Sequence, residues 1–253
     1  MMQDAAGIDP VSIIAGAAQA LPGGAGFRGA VDMVVLLAVL SLAPAVLVLC
    51  TCFTRVVVVL GLLRHAVGAQ AMPPNQVVVG LSLLLTFAVM APTFDRAWNA
   101  GVRPYMDGTV ASSAEAWDAA RQPLREFMFA QIEATGNWQG VYMLLAHRGV
   151  DVSDPSKLTR ADVDMATLVP AFVLSELKVA FLIGFRVLLP FLVVDLVVAS
   201  ILVSLGMVMV PPTLVSMPLK LLLFVLADGW TLVVGSLLGG TGDRAVHVRA
   251  HAG

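Results

Sequence analysis

Few residues of this chain have the types and spacing of a catalytic or ligand-binding motif. Gly24-Ala-Gly26-Phe-Arg-Gly29 matches the glycine pattern of dinucleotide-binding loops, but it lacks a preceding strand and a following ribose-binding acid. Ser175 and Lys178 have the Ser-x-x-Lys spacing of penicillin-binding enzymes, without that class's other motifs. His247 and His251 stand in a Gly-rich tail, which favours solvation over metal binding. We find no catalytic constellation, and we predict no cofactor and no metal.

A second pattern of residues indicates a loop with methionine side chains rather than a catalytic site. Met207 and Met209 flank Val208, and the double proline Pro211-Pro212 follows them between two long apolar runs. Proline fixes φ and lacks an N–H donor, so we predict a helix break here. Methionine is flexible and polarizable, and it can fill gaps in a core or repack around a passing molecule. The residue types alone favour core filling over a pore.

Charged residues interrupt the apolar runs. They are Glu176, Lys178, Arg186, Asp195, Lys220 and Asp228. Each would cost at least about 2.5 kcal/mol facing lipid at a bilayer centre, so each must face protein or water. Glu176 and Lys178 lie on nearly opposite helix faces and need different neighbours. Lys220 and Asp228 lie about 12 Å apart along a helix and are poorly placed to pair. We predict that these charges serve assembly; the alternative is pairing inside one chain.

The composition indicates the setting of these residues. Hydrophobic residues make up 58% of the chain and charged residues 13%, and the mean hydropathy is +0.89. These values predict a membrane protein. The net charge of −2 gives no sign of a nucleic-acid-binding surface. Cys50 and Cys52 point about 200° apart on a helix and are predicted to be small buried hydrophobes that cannot bridge each other.

The apolar runs predict the elements that position these residues. A span needs about 20 residues of helix, and the runs predicted to span are 31–49, 191–210 and 213–238; 76–92 is slightly short, and 55–63 extends the first run. We expect residues 30–92 to form a long helical hairpin. Its connection, residues 64–75, contains Gly68 and Pro73-Pro74, which end helices.

Residues 93–169 have a different character. They contain ten acidic and seven basic residues, which predicts an aqueous-facing insertion. Leu124, Phe127, Met128 and Ile132 share one helical stripe, so this insertion should pack against another element. Residues 149–156 are predicted to be loop.

Charge asymmetry predicts part of the topology. The hairpin connection has Arg64, with Arg55 nearby and no acid, whereas residues 93–169 are net acidic. We expect the hairpin tip in the cytoplasm and the acidic region in the periplasm. Residues 168–189 are apolar enough to span but carry charges, so the side of the C-terminus stays open. Residues 1–29 could include a cleaved signal peptide, although no basic residue leads them, and 239–253 are predicted to be a flexible tail.

Four segments carry a family resemblance. The run 170–185 (PAFVLSELKVAFLIGF) resembles a signature of the FliP/SctR family of secretion-gate proteins. The segments 190–200 and 206–212 are similar to that family's second signature, in the same order, and 53–64 and 73–76 match upstream. The resemblance covers residues 31–238, and the flagellar branch fits better than the injectisome branch.

The resemblance implies an all-α membrane protein of the bacterial inner membrane and flagellar basal body, without enzymatic activity. Several copies would form a pentameric ring, completed by FliQ and FliR, with FlhB and FlhA as further partners and unfolded export substrates passing through. Residues 170–238 would be the gate region, with apolar helices partly lifted out of the bilayer. Met207 to Met209 would line the pore as a deformable gasket. The family often has three consecutive methionines, and Val208 is stiffer at χ1.

A different class of function remains as the alternative. Embedded charges also occur in small-solute or ion transporters, where they form an ion or proton path. Internal repeats would favour a transporter, and the sequence shows none.

Overall fold

The computed structural model describes residues 48–68, 74–110, 112–154, 158–207 and 209–239, together with Ser41 and Ala45. The chain divides into two compact units, Met1–Leu47 and Val48–Gly253, and the second contains nearly all the described residues. Predictions for residues 1–29, for most of the run 31–49 and for the tail from residue 240 lie outside the described residues.

Every regular element in these ranges is helical, which confirms the predicted all-α class. The helices are α1 Phe53–Val67, α2 Asn75–Ala97, α3 Arg103–Met106, α4 Ser113–Thr135, α5 Trp138–His147, α6 Met165–Ser204, α7 Pro212–Leu226 and α8 Gly229–Gly239. A π-helical turn, Trp98–Val102, joins α2 to α3, and a 3₁₀ turn, Arg160–Asp162, precedes α6.

The start of α1 separates it from the apolar residues before it. Residues 48–50 are helical, Thr51 forms a bend, and α1 begins at Phe53. The run 55–63 is therefore a new helix, and the prediction that it extends the first run is wrong. Cys50 and Cys52 are buried and not disulfide-bonded, as predicted.

The hairpin connection has the predicted stop and start signals. Val56, Val59 and Leu63 form a buried stripe along α1, which packs against α2 and α6. Gly68 ends α1 in the left-handed region at φ 83°, where a side chain would be strained. Pro74 then precedes the first residue of α2. Gly68 and Pro74 therefore stop and start the helices as predicted, but the connection is shorter than the predicted 64–75, because α1 continues to Val67.

α2 buries small polar side chains and exposes large apolar ones. Ser82 and Thr86 are buried, and each hydroxyl donates to the carbonyl four residues earlier, which satisfies it within the helix. Leu84 and Phe87 are exposed. α2 continues through Pro92, and with the π turn and α3 it forms a 32-residue span candidate, Asn75–Met106. The predicted boundary at 92/93 thus falls inside a helix.

The polar region packs on the apolar helices. Phe127, Met128 and Ile132 of α4 are buried in the core, with Leu124 partly buried beside them, which confirms the predicted stripe. α4 contacts α2, the π turn and α6. Gly101 in the π turn allows this approach, because a Cβ there would lie 2.3 Å from the carbonyl oxygen of Ala116. Residues 149–154 are irregular, as predicted.

α6 is the longest described element and contacts α1, α4, α5 and α7. Its 40 residues extend about 60 Å, about twice the hydrocarbon thickness of a bilayer. The prediction of a separate span at 191–210 is wrong: residues 168–189 and 191–204 form one helix. Pro190 does not interrupt it, and it ends at Ser204.

The last apolar run is bent. The run predicted to span at 213–238 forms two helices, α7 and α8, which meet at 65°. Asp228 at the break has φ 48°, a left-handed conformation rare for a residue with a side chain. Gly229 is required by packing, since a Cβ there would lie 2.2 Å from the Phe224 ring. By length and composition, two described helices can span a membrane, or three spans result if this bent pair counts as one.

Candidate functional site

A fully buried ion pair joins three helices, and we call it the Arg55 cluster: Arg55 of α1, Gln131 of α4 and Glu176 of α6. Arg55 and Glu176 side chains are both 0% exposed. Arg55 Nε donates to Glu176 Oε2 at 2.8 Å, and Nη2 donates to Glu176 Oε1 at 2.5 Å and to Gln131 Oε1 at 2.7 Å. This two-pronged contact suits the planar guanidinium and the carboxylate, while Arg55 Nη1 is buried without a hydrogen-bond partner among the described residues.

This cluster changes two expectations. Glu176 was predicted to need a partner outside its own helix, which is correct, but that partner lies in the same chain. Arg55 also contributed to the topology prediction, yet it is buried and paired, so only Arg64 supports the predicted side of the hairpin connection. The sequence signal for Arg55 was a lone charge in a valine-rich run, and Gln131 carried no signal.

A polar cluster lies beside it, one turn along α4, and we call it the Asn137 cluster: Thr135, Asn137, Ser175 and Lys178. The Asn137 amide nitrogen donates to Ser175 Oγ at 2.9 Å, and Lys178 Nζ donates to the Asn137 amide oxygen at 2.7 Å. Thr135 Oγ1 lies 3.2 Å from Ser175 Oγ. Ser175 and Lys178 therefore contact Asn137 rather than each other, which is not the arrangement of a nucleophile and its base.

A third set, the Asp195 cluster, holds α7 against α6: Asp195, Ser216 and Lys220. Lys220 Nζ donates to Asp195 Oδ2 at 2.6 Å, and Ser216 Oγ donates to Asp195 Oδ1 at 2.5 Å. Lys220 and Ser216 are buried, and Asp195 is half-buried. A Cβ built on Gly68 would lie 3.9 Å from Lys220 Nζ, so the ammonium also lies near the C-terminus of α1, where the helix dipole favours a cation.

Five of the six predicted embedded charges fall into two groups, and the sixth, Lys178, donates to Asn137. Glu176, Asp195 and Lys220 have ionic partners inside the chain, so the alternative of intramolecular pairing holds for these three, and they do not by themselves require another subunit. Arg186 and Asp228 are exposed, and neither side chain makes an ion pair or hydrogen bond within the described ranges. An assembly role stays a prediction for these two.

The methionine loop, residues 205–211, begins with a tight helix stop. Gly206 has φ 74°, its N–H donates to Val203 O at 3.0 Å, and the Met207 N–H donates to Leu202 O at 2.9 Å. These two bonds form a Schellman motif, which satisfies the last carbonyls of α6. The helix break predicted from the prolines is therefore confirmed, and Gly206 ends the preceding helix.

The prolines hold the C-terminal end of this loop, as the Schellman motif at Gly206 holds its N-terminal end. The methionines lie between these two anchors. Pro211 precedes α7, and Pro212 is its first residue. Met207 is 44% exposed and Met209 95% exposed; Val208 lies outside the described residues. The interpretation of Met209 as core filler within this chain is wrong, because its side chain contacts almost nothing in it.

Within the described ranges, no group of three His, Cys, Asp or Glu side chains is arranged to hold a metal ion. His247 and His251 lie beyond those ranges.

Comparison with known proteins gives the family. The FliP family profile matches residues 36–237. A flagellar biosynthetic protein FliP from Bacillus subtilis is 46% identical over 208 residues, which cover 82% of this chain and 90% of that protein. The protein of the same name from Caulobacter vibrioides is 47% identical over 208 residues, covering 82% and 75% respectively. That from Pectobacterium carotovorum is 46% identical over 220 residues, covering 87% and 82%. The chain belongs to the FliP family.

Proposed function

We propose that this chain is a core subunit of the flagellar type III protein export gate and helps form the inner-membrane channel through which unfolded flagellar substrates pass. Its relatives are named flagellar biosynthetic proteins. The observation that carries the proposal is the pair of exposed methionines, Met207 and Met209, on a loop anchored by Gly206 and by Pro211-Pro212.

The gate would be a closed ring of several copies, five by analogy with the family, completed by FliQ and FliR and bound by FlhB and FlhA. Large exposed apolar side chains lie along α6 and α7, among them Phe181, Leu196, Val203 and Leu214. A helix of about 60 Å cannot be covered by lipid alone when the hydrocarbon layer is about 30 Å thick. Protein contacts with neighbouring subunits would cover the remainder.

The methionine loop would form the constriction of this channel. Repeated around an axis, Met207 and Met209 place flexible apolar side chains in a ring that excludes water and ions. The thioether side chain adapts to many shapes, which suits a seal around polypeptides of varied sequence. The anchors matter equally, because a seal of flexible side chains needs a fixed backbone.

The acidic region would lie in the periplasm and the hairpin tip in the cytoplasm. Arg64 in the last turn of α1 and the net negative charge of residues 93–169 support this orientation.

No specific observation favours the alternative, a small-solute or ion transporter. An ion path needs charges that face water or a cavity. Glu176 is buried against Arg55 and Lys220 against Asp195. Of the embedded charges only Arg186 lines the cavity between α6, α7 and α8, and one charge does not form a path.

The double variant Met207→Ala/Met209→Ala tests the proposal when expressed with the whole gate. Truncation should widen the constriction, so we expect ions or small molecules to leak across the inner membrane while the complex still assembles. Met106→Ala is the matched control, since Met106 is 70% exposed and lies far from the loop in sequence. A tight membrane with normal complex yield in the double variant would contradict the gasket.

A further inference from the structure

Two charged side chains of the last three helices have no ionic or hydrogen-bonding partner among the residues that the structure describes. Asp195 and Lys220 pair with each other, Glu176 pairs with Arg55, and Lys178 bonds Asn137. Two charges of opposite sign are left: Arg186 on α6 and Asp228 at the bend between α7 and α8. Both lie in apolar segments, where a charge facing lipid is costly.

Arg186 lies in the wall of an apolar cavity. The cavity, of about 580 Å³, lies between α6, α7 and α8 and is partly open to the outside. Its walls include Ile183, Phe191, Leu223 and Leu232, with the Arg186 side chain among them. Such a space suits an apolar group that brings a negative charge to the guanidinium.

Asp228 has the complementary position. Ala227 and Gly229, on either side of it, line the cavity, but Asp228 does not, so its carboxylate lies outside the cavity on the same bend. Its left-handed backbone, φ 48°, accompanies this change of direction. Leu226, two residues earlier, is 76% exposed. The bend thus presents an apolar side chain and a carboxylate to the outside.

We propose that the bend of one copy inserts beside the cavity of the next copy, so that Asp228 of one subunit pairs with Arg186 of its neighbour. The proposal rests on the proposed ring and identifies a contact that holds it together. Leu226 would contribute apolar area to the cavity. Arg186 and Asp228 of a copy with a neighbour on each side would then both have an ionic partner.

The contact joins two different surfaces, a cavity and a bend, and is therefore head-to-tail. Head-to-tail contacts generate a ring when the rotation closes and an open helix when it does not. Every copy in a ring would be both donor and acceptor, so no Arg186 or Asp228 would stay unpaired.

Cross-linking between two kinds of copy tests the contact directly. One tagged chain carries Arg186→Cys, and a differently tagged chain carries Asp228→Cys; both lack the native thiols through Cys50→Ala and Cys52→Ala. They are expressed together with the FliQ- and FliR-like proteins and treated with a short bifunctional thiol reagent. We expect a product that bears both tags in the assembled complex. Leu196→Cys in place of Asp228→Cys is the control, because Leu196 is exposed on α6 away from the bend, and it should give little product.

Three results would overturn the proposal. One is an assembled complex without the dual-tag product. Another is obtained with a third chain that carries both Arg186→Cys and Asp228→Cys: cross-linking only within that chain, with no dual-tag product from the two single variants, would mean that the pair closes within one copy. The third is capture of a FliQ- or FliR-like protein instead. Failure of the unaltered chain to form a multi-copy complex would instead contradict the proposed function, and the proposed contact with it.

Charge reversal gives a second, independent readout. Arg186→Asp or Asp228→Arg alone should lower the yield of complex at least about tenfold, because like charges then meet at every contact. The double variant Arg186→Asp/Asp228→Arg should restore most of it. Single variants that assemble normally, or a double variant no better than the singles, would contradict the pairing.

Discussion

Two regions of the molecule differ in where they place charged and apolar side chains. One surrounds the Arg55 cluster, and the other is formed by the second half of α6 with α7 and α8. In the first, α1, α4 and α6 enclose Arg55 and Glu176 completely and pair them with each other and with Gln131. In the second, long apolar side chains, two methionines and two charges face outward.

The difference indicates what each region is for. A closed network stabilises the fold of one chain, whereas outward apolar surface with unpaired charges has no stable environment until another molecule covers it. We therefore expect substitutions in the first region to reduce the stability of the chain itself. Substitutions in the second should mainly reduce assembly or sealing.

The largest effect is expected for Glu176→Ala. It leaves the fully buried Arg55 guanidinium without its counter-charge, and breaking such a pair typically costs about 3–5 kcal/mol. The variant chain should accumulate poorly and unfold at lower temperature in detergent, before any question of assembly arises.

The matched control is Glu133→Ala, which breaks an ion pair with Arg160 whose side chains are more than half exposed. Exposed pairs contribute about 0–1 kcal/mol. Equal losses of thermal stability in Glu176→Ala and Glu133→Ala would contradict the contrast between a buried ion pair and an exposed one.

Lys220→Met tests a case between the two regions, because the side chains of the Asp195 cluster are less completely buried than those of the Arg55 cluster. The substitution strands a half-buried carboxylate, and losing a hydrogen bond to a charged group costs about 1.5–3 kcal/mol. We expect a lower yield of complex with an unchanged range of exported substrates. Complex yield and export assays on the same cells check this, and a changed range with normal yield would mean that Lys220 faces the export path.

Gly229→Ala examines the bend. The added Cβ would lie 2.2 Å from the Phe224 ring, which cannot move freely because it packs against Phe191 and Trp230. Overpacking of this kind costs about 1–3 kcal/mol. Gly235→Ala is the control, since a Cβ there meets nothing within 4 Å and should be neutral or stabilising. Thermal unfolding of both variants in detergent compares them, and equal melting temperatures would contradict the close packing.

The smallest effect is expected at the start of α6. Asp164 caps the helix by accepting from the Thr167 N–H at 2.9 Å, and Arg148 pairs with it. Asp164→Ala should cost about 0.5–2 kcal/mol, and Asp164→Asn should recover part of this in thermal unfolding. Loss of as much stability as in Glu176→Ala would contradict the ranking.

The same residue predicts a pH dependence. Burial raises the pKa of Asp164, but hydrogen bonds from Arg148 and Thr167 outweigh burial and hold the pKa below its ordinary value. A carboxyl whose pKa is depressed by folding stabilises the protein above its unfolded pKa and loses that contribution as the pH falls through the folded value. The difference in melting temperature between wild type and Asp164→Ala should therefore shrink below about pH 4.

Much of the fold follows from local sequence signals. Gly68 and Pro74 end and start helices through backbone restrictions that act regardless of context, and the prolines at 211–212 do the same. The α4 stripe was predictable because one face of a helix repeats every three to four residues. The family could also be identified from the ordered motifs, and the sequence comparisons confirm it.

The parts that the sequence did not predict depend on tertiary contacts. Pro190 divided one 40-residue helix into two predicted segments, although packing keeps the helix continuous through it. The bend at Asp228 lies inside one apolar run, where Phe224 packs closely against Gly229. Which charges pair inside the chain could not be derived either, since Arg55 and Glu176 are 121 positions apart.

The mass of the purified complex tests the central claim most directly, namely that this chain works as one of several copies in a gate. The chain should be expressed with its FliQ- and FliR-like partners, extracted in detergent and weighed by native mass spectrometry. The account predicts a complex that contains several copies of this chain, five by analogy with the family. A monodisperse monomer under these conditions would contradict it.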